Sequence, residues 1–344
     1  MTTGTLLQCS DFITELEDGV KPLEAQGDDR PAEVDGPAQW CENTAMRRHP
    51  AVAVALVSVM AGACGDAIEP LPADYHAQVE AYRQHREREI VGPTGWAALV
   101  GLHWLTPGVQ TVGAAAGNDV RLTGPSAPPV LGILTVTGET ATLKASDGIQ
   151  LRQGHHVAAA VELRVPDTAR DPAVVGDMTL TVIRRGDRLA LRVWDAKAPA
   201  LVSLAGLEWL PVDAAWRVQG RFEAHPPGRT MKILNVLDEL IDMPNPGAVI
   251  FSVDGREYRL EALLESADAK ELFFLFRDGT SGKTTYGAGR YLYAPLPKDG
   301  RVILDFNQAK NPPCTFTDFA TCPLPPKGNI LSLAVNAGEL DRRH

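Results

Sequence analysis

Between residues 109 and 307 the chain alternates short runs of β-favouring residues with explicit turn signals, a rhythm that leaves little room for long helices. The runs fall at 109–113, 132–137, 141–144, 158–165, 178–184, 189–195, 216–223, 248–253, 258–263, 272–277, 284–294 and 302–307. Thr137-Gly138-Glu139, Arg185-Gly186-Asp187, Asp254-Gly255 and Asp299-Gly300 mark turns between them. The last two are Asp-Gly pairs, which supply the positive φ that a two-residue hairpin demands. Ile233, Val236, Leu237, Leu240 and Ile241 also fit a helix, but their neighbours favour two short strands within 231–243. With 31 glycines and 26 prolines in 344 residues, the expected fold is mainly β, α+β at most. It is read as a single domain over 73–344, an antiparallel β-sandwich or partly closed β-barrel. One N-terminal amphipathic helix leads it: Tyr75, Val79, Tyr82 and Arg86 recur at helical spacing over 73–89, with Asp74 placed to cap.

The stretch ahead of that domain reads as an export signal. Met46-Arg47-Arg48-His49 is a basic region, 50–63 is an apolar run of secretory length, and small residues precede Cys64. The run is short of the ~20 residues that cross a bilayer. Ala61-Gly62-Ala63-Cys64 resembles the lipobox of bacterial lipoproteins, departing from it at Ala61, where a larger aliphatic residue is usual. Residues 46–63 are therefore expected to be a signal peptide, Cys64 a lipidation site and 64–72 a tether. The same spacing also fits an ordinary signal-peptidase cut before Cys64. A signal peptide belongs at the front of a chain, so 1–45 is expected to be untranslated in the natural protein or disordered.

Charge narrows the partners. The net charge is −10, but 1–45 holds ten acidic and two basic residues, so the remainder carries only −2. A nearly neutral body without a basic stripe argues against nucleic acid. Gly282-Lys283-Thr284 mimics the end of a phosphate-binding loop, but Arg277 stands where the pattern needs glycine. His155 and His156 are adjacent and would face opposite ways on a strand, while His103 and His225 are isolated. Neither a cofactor nor a metal is expected. Two cysteines follow Cys64, Cys314 and Cys322, and an exported setting favours a disulfide between them over a metal pair or a nucleophile.

Chemistry concentrates in the last third. Asp278, Gly279 and Thr280 end one strand, and Thr285-Tyr286-Gly287-Ala288-Gly289-Arg290-Tyr291-Leu292 opens the next. Leu304-Asp305-Phe306-Asn307, Asn311-Pro312-Pro313-Cys314, Cys322-Pro323-Leu324-Pro325-Pro326, Asn329 and Ala337-Gly338-Glu339 follow. This series, in its order and spacing, resembles the bacterial and archaeal domain-of-unknown-function 1684 family. The likeness extends back through Arg192-Val193-Trp194-Asp195 and the 99–105 segment, to cover roughly 82–339. It implies one domain and frequent export, with no established reaction.

If Asp299-Gly300 closes a two-residue hairpin, Lys298 faces Arg301, Asp305 faces Ala294 and Asn307 faces Leu292. Arg290, Asp305 and Asn307 then share one face. Two readings compete. In one, Arg290 grips an anion with Asn307 and Asn311 beside it, Asp305 is an acid or base, and Tyr286 donates its hydroxyl. In the other, Arg290 and Asp305 form a partly buried ion pair. The expected function is an exported, lipid-anchored envelope protein, facing the periplasm or cell exterior, that binds a small polar or anionic ligand. A hydrolase using the same pocket and an envelope protein-interaction module are the alternatives.

Overall fold

The computed structural model describes residues 69–165 and 171–342. The expected leader, signal peptide and lipidation site Cys64 lie outside the described residues. The helix Tyr75–Val91 precedes every described strand and turns Tyr75, Val79, Arg86 and Ile90 inward. Asp74 sits at its start without capping it through the side chain; that carboxylate accepts from Gln78 Nε2 at 2.9 Å.

Strands follow in the predicted rhythm, and the fold is mainly β. One sheet has six strands in the order Leu99–Trp104, Arg188–Asp195, Met178–Arg185, Ala173–Val175, Leu151–Gln153, His156–Ala158. Its neighbour runs Val120–Arg121, Gly108–Gly113, Gly132–Thr137, Thr140–Ala145, Ala160–Arg164, all antiparallel except the first pair. Alternation along Gly132–Thr137 buries every second residue, and both sheets send such residues into one apolar cluster that includes Leu134, Leu143, Leu163, Leu180 and Leu191. Leu99–Trp104, absent from the expected strands, is an edge strand of the larger sheet.

A second core fills the carboxy-terminal half. The four-stranded sheet Arg256–Ala262, Gly247–Val253, Arg217–Ala224, Arg301–Asp305 and the pair Glu271–Phe276/Arg290–Pro295 close on Phe306. Its ring meets those of Trp216, Phe251 and Phe276 at 6.2, 5.7 and 5.6 Å. Residues 231–243 form the hairpin Thr230–Leu234/Leu240–Pro244, the strand pair favoured over a helix. Among the described residues no sheet closes into a barrel; the β content is spread over several mostly antiparallel sheets.

Two expected strands are shorter than read. The 284–294 run becomes a strand only at Arg290, because Gly289 at φ 107° turns the chain tightly against Phe276 O. The 302–307 run ends at Asp305, whose carboxylate accepts from the Asn307 N–H and caps the short turn Phe306–Gln308. The Asp299-Gly300 turn forms as expected, with φ 50° and 70° and Lys298 opposite Arg301. Beyond it the strands part: Arg290–Pro295 pairs with Glu271–Phe276, and Arg301–Asp305 pairs with Arg217–Ala224. The predicted register of Asp305 on Ala294 and Asn307 on Leu292 does not form.

Candidate functional site

That parting separates the residues expected to act together. Arg290 has no exposed surface, and its partner is Asp278 rather than Asp305: Nη2 meets Asp278 Oδ2 at 2.5 Å. Nη2 also donates to Val335 O at 3.1 Å and Nη1 donates to Ala337 O, while the guanidinium lies over the Phe276 ring. Burial pushes the guanidinium below its usual value, and Asp278 opposes that shift. Asp278 Oδ1 accepts from the Thr280 N–H and hydroxyl, and Thr280 Oγ1 reaches Thr285 Oγ1 at 2.8 Å. This junction binds the 278–290 turn to the chain's last segment and leaves Arg290 no donor aimed at solvent.

Asp305 and Asn307 form a different junction. Asp305 Oδ1 accepts from Tyr75 OH at 2.8 Å and from Asn307 N–H, and Oδ2 accepts from Gln308 Nε2. Asn307 Nδ2 donates to Tyr75 OH and to Asp213 O, and its Oδ1 accepts from the Asp213 N–H at 3.0 Å. Burial, followed by the Asp305 acceptor, raises the Tyr75 phenol far above its ordinary value. Tyr75→Phe is expected to cost about 1–2 kcal/mol, because it leaves two buried polar side chains short of a partner; a shift in the urea midpoint reads it.

Asn311 belongs to a third junction. Its N–H and Nδ2 donate to the two Glu339 oxygens at 3.1 Å, and its carbonyl accepts from Arg86 Nη2 at 2.8 Å. Arg86 Nε lies 3.5 Å from Glu339, and all three side chains are buried. A fourth junction centres on Asn329, which exchanges hydrogen bonds with the Glu261 backbone and donates to Leu275 O. The conspicuous polar residues of the block are thus committed to pinning loops onto strands.

Tyr286 and Cys314 differ: both are partly exposed, and the Tyr286 hydroxyl donates to Cys314 Sγ at 3.7 Å. Cys322 lies buried behind them, accepting the Cys314 N–H at 3.2 Å. The structure holds the two cysteines as thiols in contact range, without the expected disulfide. Around them pack Tyr291, Phe273, Leu275 and Trp96, and Tyr291 OH donates to Pro323 O at 3.0 Å. Arg185 Nε donates to Thr321 Oγ1, fixing the far end of the loop. Prolines 312, 313, 323, 325 and 326 stiffen the approach to this corner on both sides.

Partners distant in the chain escaped the sequence reading. His225 is paired: its Nε2 meets Glu261 Oε2 at 2.7 Å, and Arg229 and Arg259 flank the pair. Although burial pushes Glu261 up, hydrogen bonds from His225, Asn245 and Arg259 hold it below its ordinary value. Both ring nitrogens of His225 are engaged, one by Glu261 and the other by Arg229. Tyr75 was legible only as a helix-face residue, and Lys310 carried no motif signal at all.

The fold and this corner define a mainly β protein whose carboxy-terminal half is locked by buried polar junctions around a partly exposed tyrosine–cysteine pair. Residues 203–340 match the family described as "Protein of unknown function (DUF1684)". The match takes in the whole carboxy-terminal block and leaves out the expected extension back to residue 82. The uncharacterized protein from gene locus rrnAC0354 of Haloarcula marismortui, known from a solution NMR structure, is 33% identical. That match covers 42% of this chain and 80% of the other, with a TM-score of 0.36. No curated protein matches this chain.

Proposed function

We propose that this chain is an exported, lipid-anchored envelope protein whose β-rich domain binds a small polar ligand at Tyr286 and Cys314. One observation carries the binding reading: within the family block, Tyr286 and Cys314 are partly exposed, while Arg290, Asp305 and Glu339 are spent on internal partners. With Arg290 fully buried and held by Asp278 and two carbonyls, an anion-gripping role for it has no donor open to solvent. The ligand class is accordingly neutral and polar, met by the Tyr286 hydroxyl beside the Cys314 sulfur on an aromatic floor. Export rests on the basic residues, apolar run and Cys64 that precede the domain. In an oxidising compartment Cys314 and Cys322 close a disulfide across the stiff loop, since the second sulfur already lies against the first residue's backbone.

The chain purified from cell membranes without reductant, weighed under native and denaturing conditions, tests these points together. The native species is expected to be heavier by a ligand that denaturation releases and that Tyr286→Phe fails to retain. Equal masses would sink the binding reading. The polypeptide itself is expected to be two hydrogens lighter than its reduced form; an unchanged mass on reduction means that no disulfide forms. Cys64→Ser is expected to move the chain into the soluble fraction, and continued membrane retention would count against the anchor.

A further inference from the structure

Lys310 lies past the turn that follows Asp305, in a segment whose backbone pairs with Tyr291 through bonds of 2.8 and 2.9 Å. Tyr293 shares the Tyr291 side of its strand, and the Lys310 ammonium rests 4.8 Å from the centre of the Tyr293 ring. Tyr293 stacks on Phe273 at 4.8 Å and 22°, and its hydroxyl donates to Glu265 Oε1 at 3.2 Å. The amine therefore sits on a two-ring aromatic floor with a carboxylate at its edge.

Among the described residues the ammonium donates no hydrogen bond and enters no ion pair; its recorded contact is the ring. The charged groups facing it are Arg86 and Glu89 from the helix, Glu265 from the loop after Arg256–Ala262, and Glu339 from the final segment. Each of these has another partner: Arg86 meets Glu339 and Asn311, Glu339 meets Asn311, Glu89 meets His85, and Glu265 accepts from Tyr293. Lys310, Tyr293, Glu89 and Glu265 are each partly exposed, so the cluster borders solvent. Burial, seconded by Arg86, disfavours the ammonium and raises the share of free amine, the nucleophilic form.

We propose that Lys310 is a covalent attachment site that forms an imine with small aromatic aldehydes. The Nζ lone pair attacks the carbonyl carbon as the C=O π pair moves to oxygen. A proton passes from nitrogen to that oxygen, relayed by Glu265 or Glu89, to give the carbinolamine. Loss of one water leaves the C=N bond, with no change of oxidation state, and hydrolysis reverses it. The aldehyde's ring lies against Tyr293, which makes the aromatic class the one this floor selects. This site involves neither Tyr286 nor Cys314, so it stands or falls apart from the reading above.

The full chain treated with 4-hydroxybenzaldehyde and cyanoborohydride, then mapped by peptide mass, reports the imine at each lysine as a stable secondary amine. At neutral pH Lys310 is expected to react several-fold faster than the exposed Lys298 and Lys327. Its rate against pH is expected to rise at lower pH than theirs. Tyr293→Ala is expected to bring Lys310 to the reference rate. A Lys310 rate no greater than that of Lys298 in the unaltered chain, or coincident pH curves, overturns the proposal. Both readouts use the native chain, so a Tyr293 variant that failed to fold would not shield it.

Discussion

Asp278→Ala is expected to destabilise the protein by about 3–5 kcal/mol, the usual consequence of leaving a buried charge without its partner. Arg290 has no exposed surface, and after the substitution the carbonyls of Val335 and Ala337 would be its remaining hydrogen-bond acceptors. The Thr280 N–H and hydroxyl would lose their shared acceptor in the same step. Arg290→Met is expected to cost a similar amount, since Asp278 would then be the stranded charge. The double variant Asp278→Leu/Arg290→Met strands neither and should cost far less than the two singles added together. Guanidinium unfolding of the four proteins reads the coupling directly. Additive losses would mean that the two side chains stabilise the fold separately, and would reopen Arg290 as a ligand-binding residue.

Local features were legible in the sequence where a few adjacent residues decide the geometry. Asp254-Gly255 and Asp299-Gly300 both take the positive φ their hairpins require, and alternation along 132–137 marks a strand buried on one face. What the sequence could not rank is which distant strand a hairpin arm prefers. The Asp299-Gly300 turn fixes the first pair, Lys298 and Arg301, yet the arms then join different sheets, and the facing order extrapolated from the turn fails. Arg290 and Asp305 were consequently placed together when each has its own partner, Asp278 only twelve residues away and Tyr75 on a helix 230 residues away. The Cys314 and Cys322 neighbourhood was readable because a short, proline-braced loop leaves the two residues little choice but proximity. The family block signals itself by unusual polar residues at fixed spacing, but a buried junction and a ligand site demand the same residue types. Only burial and partner geometry separate them.

The junction of Arg86 with Glu339 carries the second large effect, and here pH gives it a signature. Burial pushes the Glu339 carboxyl above its ordinary value, against the opposing pull of Arg86, the Asn311 N–H and Lys310. A carboxyl raised in the folded state holds its proton there more readily than in the unfolded chain. Stability is then fullest below the unfolded value and is lost as pH climbs through the interval up to the folded value. Arg86→Met removes the main opposing cation, pushes Glu339 higher and widens that interval. The variant is expected to lose about 3–5 kcal/mol at pH 8 and clearly less near pH 5, where the stranded carboxyl is neutralised by a proton. Comparing each variant with the unaltered chain at the same pH cancels the contributions that the proteins share. Adding Glu339→Gln to Arg86→Met should recover much of the loss at pH 8 and flatten the difference between the two conditions. Arg86 also lies over the Phe316 ring at 5.6 Å, so part of its contribution is packing. A loss equal at both pH values, unrelieved by Glu339→Gln, would assign the whole effect to that ring contact and remove Glu339 as the charge that holds the helix to the chain's final segment.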